Sequence, residues 1–212
     1  MKSTVIRKSA GMITLLLLSG LLLAACSKAP ATTNTPTTMS ETDQTQAPQA
    51  GEQIAVLTTN KGTIKLKFFP KEAPETTKNF IELSKKGFYD GLTFHRVIPG
   101  FMIQGGDPKG DGTGGETYKG PGTMLPGEVS PDLHHIHGAV AMANRADPNT
   151  ATSQFYIVQN GDGAGFLDGG YTIFGQAYEG LDVVDSIANT ERDASDKPLE
   201  PVIIEKVSIE TL

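Results

Sequence analysis

The chain has 212 residues, 38% of them hydrophobic and 20% charged, and a formal charge of −6. That make-up suits one folded core with some appended sequence, while the acidic balance excludes a role resting on phosphate contacts, which need clustered Lys and Arg. Nucleic acid is not an expected partner, and a single cysteine, Cys26, excludes a disulfide within the chain.

At the N-terminus, Lys2, Arg7 and Lys8 precede an apolar run from Met12 to Leu23 broken by Thr14, Ser19 and Gly20. This is the layout of a secretory signal peptide, and about a dozen residues fall short of the ~20 that a membrane-crossing helix requires. The run ends in Leu23-Ala24-Ala25-Cys26, which resembles the lipobox of bacterial lipoproteins. That resemblance implies a signal peptide over residues 1–25, acylation of Cys26, and a protein outside the cytoplasm that is lipid-anchored to a bacterial membrane. An incidental thiol beside an ordinary cleavage site is the alternative. Cleavage removes three cations and no acid, so the anchor is the lipid, each buried CH₂ of which contributes ~0.8 kcal/mol. Residues 26–51 then form the lipidated Cys and a Thr/Pro/Gln-rich stretch almost without large apolar residues, read as a flexible tether.

From residue 52 the pattern becomes that of a folded domain reaching residue 212. Residues 54–59 are β-branched and apolar. Residues 62–69 alternate, with Ile64, Leu66 and Phe68 on one face and Thr63, Lys65 and Lys67 on the other, so two strands joined at Asn60-Lys61-Gly62 are predicted. Pro74-Glu75 opens a helix of about a dozen residues that Gly87 stops. Strand-length apolar stretches follow at 93–98, 101–104, 139–144, 154–158 and 172–174, then a second helix over 180–188 and a last strand over 202–209. Many short strands with two separated helices predict a mainly β, antiparallel barrel or sandwich rather than β-α units. Residues 105–137, rich in Gly and Pro without periodicity, are expected to border a functional groove.

Chemistry concentrates in Phe94-His95-Arg96-Val97-Ile98-Pro99-Gly100-Phe101-Met102-Ile103-Gln104-Gly105-Gly106-Asp107. Pro99-Gly100 forms a turn, so Arg96 on one strand and Phe101, Met102 and Gln104 on or near the next can surround one small pocket.

This block resembles the signature of the cyclophilin family. It is followed in the family's order by Gly112-Thr113-Gly114-Gly115, Met142-Ala143-Asn144, Ser153-Gln154-Phe155-Tyr156-Ile157 and Phe166-Leu167-Asp168-Gly169, so that the likeness spans roughly residues 53–210. It implies an eight-stranded antiparallel barrel capped by two helices, and a peptidyl-prolyl cis-trans isomerase with its groove on the outer surface. By position, Arg96 is then the catalytic arginine. Phe101, Met102, Tyr156 and Leu167 line a proline pocket, Gln104, Ala143, Asn144 and Gln154 contact the peptide, and Phe166 and Tyr171 close the rim. No cofactor is implied, the partners are proline-containing polypeptides of extracytoplasmic proteins whose folding the enzyme assists, and a monomer is expected. A non-catalytic peptide-binding chaperone of the same fold is the alternative.

Other constellations carry less. His134, His135 and His137 lack a suitably spaced acid or thiol, and neighbouring histidines on a strand point to opposite faces, so no metal site is expected. Asp107 and Asp168 stand beside glycines and read as turn formers. Many cyclophilins carry Trp where this chain has Phe166 and His where it has Tyr171. The loss of an indole donor predicts weakened binding of cyclosporin. The loop over residues 145–150 also differs in length by about one residue from eukaryotic members and puts a charge, Arg145, next to Asn144.

Overall fold

The computed structural model describes residues 44–212. The signal-peptide and Cys26 readings, and most of the tether, lie outside those residues. Among the described residues no helix is long and apolar enough to cross a membrane.

Eight strands run in chain order as β1 (Gln53–Thr59), β2 (Gly62–Phe68), β3 (Arg96–Ile98), β4 (Met102–Gly105), β5 (Ala139–Met142), β6 (Phe155–Val158), β7 (Ile173–Glu179) and β8 (Ile204–Thr211), with helices α1 (Pro74–Lys85) and α2 (Leu181–Ala188). They form one sheet in the order β3-β4-β6-β5-β7-β2-β1-β8, antiparallel at every pairing. The sheet curls until its two ends meet through backbone bonds, Phe94 N–H to Val202 O at 2.9 Å, Ile204 N–H to Leu92 O at 2.8 Å and Val97 N–H to Asp196 O at 2.8 Å. The mainly β fold is that expected, and within residues 52–212 so are its eight strands and two α-helices.

The β1–β2 hairpin turns where the alternation places it, with Thr59 opposite Gly62, and the alternate residues Leu57, Ile64 and Leu66 are fully buried. Helix α1 begins at Pro74, whose missing N–H costs nothing at a first helical position. The residue before it, Ala73, supplies no cap; the carboxylate of Glu128 instead accepts the N–H groups of Glu75 and Thr76 at 2.9 and 2.8 Å. A negative charge there also meets the positive end of the helix dipole. The helix stops at Gly87, which adopts φ +69°.

Phe80 of α1 enters the barrel and anchors its core. Its ring lies 4.9 Å from Tyr89, 5.4 Å from Phe155 and 5.3 Å from Phe174. Helix α2 buries Val184, Ile187 and Ala188.

Two readings need correction. Strand β7 is seven residues long, not the three of 172–174, because Gly175 and Gln176 interrupt the apolar signal. Gly175 passes so close to β2 that a Cβ would lie 2.6 Å from Lys67 O, and buried Gln176 donates to His137 O at 2.7 Å. The second concerns residues 44–51 of the span read as a tether. Gln44 is fully buried, donating to His134 O at 2.7 Å and accepting from His134 N–H at 3.1 Å, so this end is docked on the domain by polar contacts that apolar content cannot reveal.

Glu128→Ala is expected to remove about 1 kcal/mol of stability by uncapping α1, and Glu128→Gln, which keeps an acceptor, less. Urea denaturation at pH 7.5 measures both; an unchanged midpoint for Glu128→Ala would contradict the capping role.

Candidate active site

The outer face of the sheet carries a second apolar layer. In β4, Ile103 is directed into the core, while Met102 and Gln104 are directed outward. In β6, Phe155 and Ile157 point inward while Tyr156 and Val158 point outward. The outward set of Met102, Tyr156 and Val158 joins Ala139, Ala141 and Ile173 in a cluster separate from the barrel core, with Phe101, Leu167 and Tyr171 packed against it. Both β5 and β6 are therefore buried on both faces.

Over this layer lies a cavity of about 260 Å³ lined by Arg96, Phe101, Met102, Gln104, Ala143, Asn144, Tyr156, Leu167 and Tyr171. The β3–β4 hairpin supplies four of these. Arg96 stands opposite Gln104, and the turn at Pro99-Gly100 is closed by Phe101 N–H to Ile98 O at 3.1 Å and Gly100 N–H to Gln159 Oε1 at 2.7 Å. Ala143 and Asn144 follow β5, where Asn144 Nδ2 donates to Gly170 O at 2.9 Å and so ties that strand end to the loop bearing Leu167 and Tyr171. A groove of about 490 Å³ beside α1 is larger, but its wall includes Lys78, Glu82 and Lys85 of the helix and none of the residues singled out in the sequence for catalysis or substrate contact.

Two candidates lie beside this cavity. Gln154 lines a small adjoining pocket with Gln104, Ala143 and Asn144. Its Oε1 accepts from Gln104 Nε2 at 3.0 Å, and its Nε2 donates to Gly112 O and Gly114 O at 3.0 and 2.7 Å. Phe166 is 78% exposed, with its ring 5.6 Å from that of Phe101, at the outer edge of the apolar wall. The irregular stretch thus borders the groove. Asp107 organises it, accepting the N–H groups of Lys109, Asp111 and Gly112 as a turn former does.

Arg96 is the cation of the cavity wall, half-exposed, with Nε 3.8 Å from Asp196 Oδ2. Asp196 also holds Arg192 Nε at 3.3 Å and sits at φ +64°, a left-handed conformation that Asp tolerates better than most residues. Neither its partner nor its backbone angle leaves a mark in the sequence.

The histidines also depart from expectation. His134 and His135 do not point apart: their Nδ1 atoms lie 2.9 and 2.6 Å from the two oxygens of Asp168. The segment is no strand, so the alternation rule does not apply there. Asp168 is accordingly more than a turn residue. Burial alone would raise its carboxyl, but bonds from both histidines hold it below the usual carboxylate range. His135 is pushed the other way, below the ordinary imidazole value, because burial outweighs the attraction of Asp168. Buried His95, with neither ring nitrogen bonded, is likewise lowered by burial against the pull of Asp107.

Both imidazoles are thus neutral in the folded protein at pH values where the unfolded chain is already protonated. Their contribution to stability is full above about pH 6.5 and declines as pH falls toward the lower folded values; that of Asp168, with the opposite charge, is lost only below about pH 4. The urea midpoint is expected to fall between pH 7.5 and 5.5. A flat or rising midpoint would contradict neutral burial.

Comparison with known proteins accords with this geometry. The family model described as cyclophilin type peptidyl-prolyl cis-trans isomerase/CLD matches residues 54–209. A protein of Staphylococcus epidermidis named "Putative peptidyl-prolyl cis-trans isomerase" is 40% identical over 198 residues, covering 78% of this chain and 99% of the relative. One of the same name from Staphylococcus aureus is 40% identical over 188 residues, covering 76% and 94%. Among solved structures, a Cryptosporidium parvum cyclophilin type peptidyl-prolyl cis-trans isomerase superimposes with a TM-score of 0.71 at 36% identity, covering 76% of this chain and 99% of that one. A second structure of that enzyme, determined in the presence of the dipeptide Ala-Pro, gives a TM-score of 0.70.

Proposed function

This chain belongs to the cyclophilin-type peptidyl-prolyl cis-trans isomerases, and we propose that the cavity at Arg96 is where it turns X-Pro bonds. Nine of the eleven residues named from the sequence for catalysis and substrate contact line that single cavity, and this convergence supports the assignment most.

An X-Pro bond has cis and trans forms of similar energy separated by ~18–20 kcal/mol, because rotation breaks the delocalisation of the nitrogen lone pair into the carbonyl. In the twisted transition state the prolyl nitrogen regains that lone pair and becomes an acceptor. A guanidinium donor placed there binds the twisted form better than either planar isomer, which is the condition for acceleration. Arginine suits the task because its charge is fixed and its donors are rigidly planar. The pyrrolidine ring rests on Phe101, Met102, Tyr156 and Leu167, while Gln104, Ala143, Asn144 and Gln154 hold the flanking peptide, so rotation is confined to one bond. The step moves no proton and consumes nothing.

The setting is also part of the proposal. The apolar run ending at Ala25-Cys26 supports export and a lipid anchor at a bacterial membrane, which would place the enzyme among newly exported polypeptides, working as a monomer to speed their folding.

Arg96→Ala is expected to lower kcat/KM for a proline tetrapeptide by about 10²–10³-fold, ~2.7–4 kcal/mol, with the melting temperature nearly unchanged, since its ion pair is half-solvated. A protease-coupled assay reads the rate. Retention of most of the rate would remove Arg96 from the mechanism. Phe166 offers no indole N–H, so cyclosporin is expected to inhibit the native enzyme less than its Phe166→Trp variant; equal inhibition constants would refute that.

A further inference from the structure

A phenyl ring would serve the pyrrolidine as well as Tyr156 does, yet this floor residue carries a hydroxyl, and the hydroxyl is buried. It lies 2.9 Å from His135 Nε2, while His135 Nδ1 lies 2.6 Å from Asp168 Oδ1, an oxygen that also accepts the His135 backbone N–H at 2.9 Å. The His135 side chain is 0% exposed and Tyr156 5%. Their rings stack at 6.0 Å, and Tyr171 stands edge-on to both at 6.3 and 5.8 Å. Burying a hydroxyl or an imidazole costs free energy unless its hydrogen bonds are made, and here, unlike at His95, both groups make them.

The protons in this chain have one arrangement. Asp168 is ionised and accepts, so the single proton of a neutral His135 sits on Nδ1. Nε2 is then an acceptor, and Tyr156 must donate to it. The ionisable groups facing His135 are Asp168, Tyr156 and Tyr171, with His134 on the far oxygen of the same carboxylate. A second proton on His135 would put two donors head to head. Tyr156 would have to accept, and its own hydrogen would point into a box of aromatic rings.

We propose that Asp168 and His135 are positioning residues for the substrate pocket, fixing the Tyr156 ring through a one-way hydrogen-bond chain that protonation of His135 reverses. The proposal rests on the isomerase reading of this cavity and adds an acid-sensitive control of its floor. Arg96 lies outside the chain, so the effect falls on substrate binding and not on bond rotation.

The test is the pH dependence of KM, kcat and peptide Kd between pH 4.5 and 8, set beside the titrations of His135 and His95 followed by ¹⁵N NMR. Native KM and Kd are expected to rise as pH falls, by up to about tenfold per pH unit for a single controlling proton, with kcat moving less than twofold. The rise should track His135, found as its Nδ1–H form at pH 7.5. His135→Gln keeps an acceptor near Nε2 and cannot gain a proton, so its KM should lose the acid limb. His135→Asn keeps a donor toward Asp168 but leaves the hydroxyl without an acceptor; its KM should exceed that of His135→Gln at every pH. The relay is overturned if the limb persists in His135→Gln, if it follows His95, or if native His135 carries its proton on Nε2. A protein that binds peptide at all pH values without turnover would sink the isomerase reading alone, and Kd would still judge the relay.

Discussion

Strand β6 separates two apolar layers, and the rest of the molecule is arranged to keep both dry. Inward, Phe155 meets Phe80 of α1 and Ile157 fills the barrel core; outward, Tyr156 and Val158 join Met102 and Ile173. A strand buried on one face would alternate apolar and polar residues. Here the sequence Phe-Tyr-Ile-Val is apolar or aromatic throughout, because the loops around residues 133–137 and 164–171 cover what would otherwise be a solvated surface. The proposed substrate groove is the part of this layer left open between Arg96, Asn144 and the 167–171 segment. Its floor is thus as firmly packed as a core, which suits the proposed reaction, in which the protein would supply only orientation and one donor.

From that constraint follows the division of labour at the site. Apolar floor residues come from strands, where pleating sets their direction. Gln104 and Gln154, which would hold the peptide, are fixed by each other and by the carbonyls of Gly112 and Gly114. The cation comes from the short strand β3, at the seam of the curled sheet, where Asp196 meets both the backbone of Val97 and the side chain of Arg96. Seam and proposed catalytic arm share Asp196, so the closure of the sheet and the placing of the guanidinium are coupled.

What could be read from the sequence was what repeats or lies close together. The β1–β2 hairpin showed in a period of two, α1 in Pro74 and Gly87, and the β3–β4 hairpin in Pro99-Gly100. The cavity residues were legible because several blocks stand in family order. Long-range polar partnerships were not. Nothing near Glu128 says that it caps a helix more than fifty residues away, nothing near Gln44 says that it docks on His134, and no spacing rule links Asp168 to His134 and His135. Such bonds depend on where loops return in space, and the loops here carry no periodicity. Strand β7 is only partly legible for a related reason: Gly175 and Gln176 look like a loop and are buried in a sheet.

Holding a proline and turning it are separate tasks of the proposed site. Exchange NMR on a labelled Ala-Pro tetrapeptide, saturated with the native protein and then with an Arg96→Gln variant, measures cis-trans interconversion on the enzyme with occupancy matched. Rapid exchange is expected on the native protein, and on the variant an affinity within a few-fold of native with exchange slowed by about two orders of magnitude. Equal exchange rates at equal occupancy would contradict this expectation, and would mean that the pocket acts on the bond without the guanidinium.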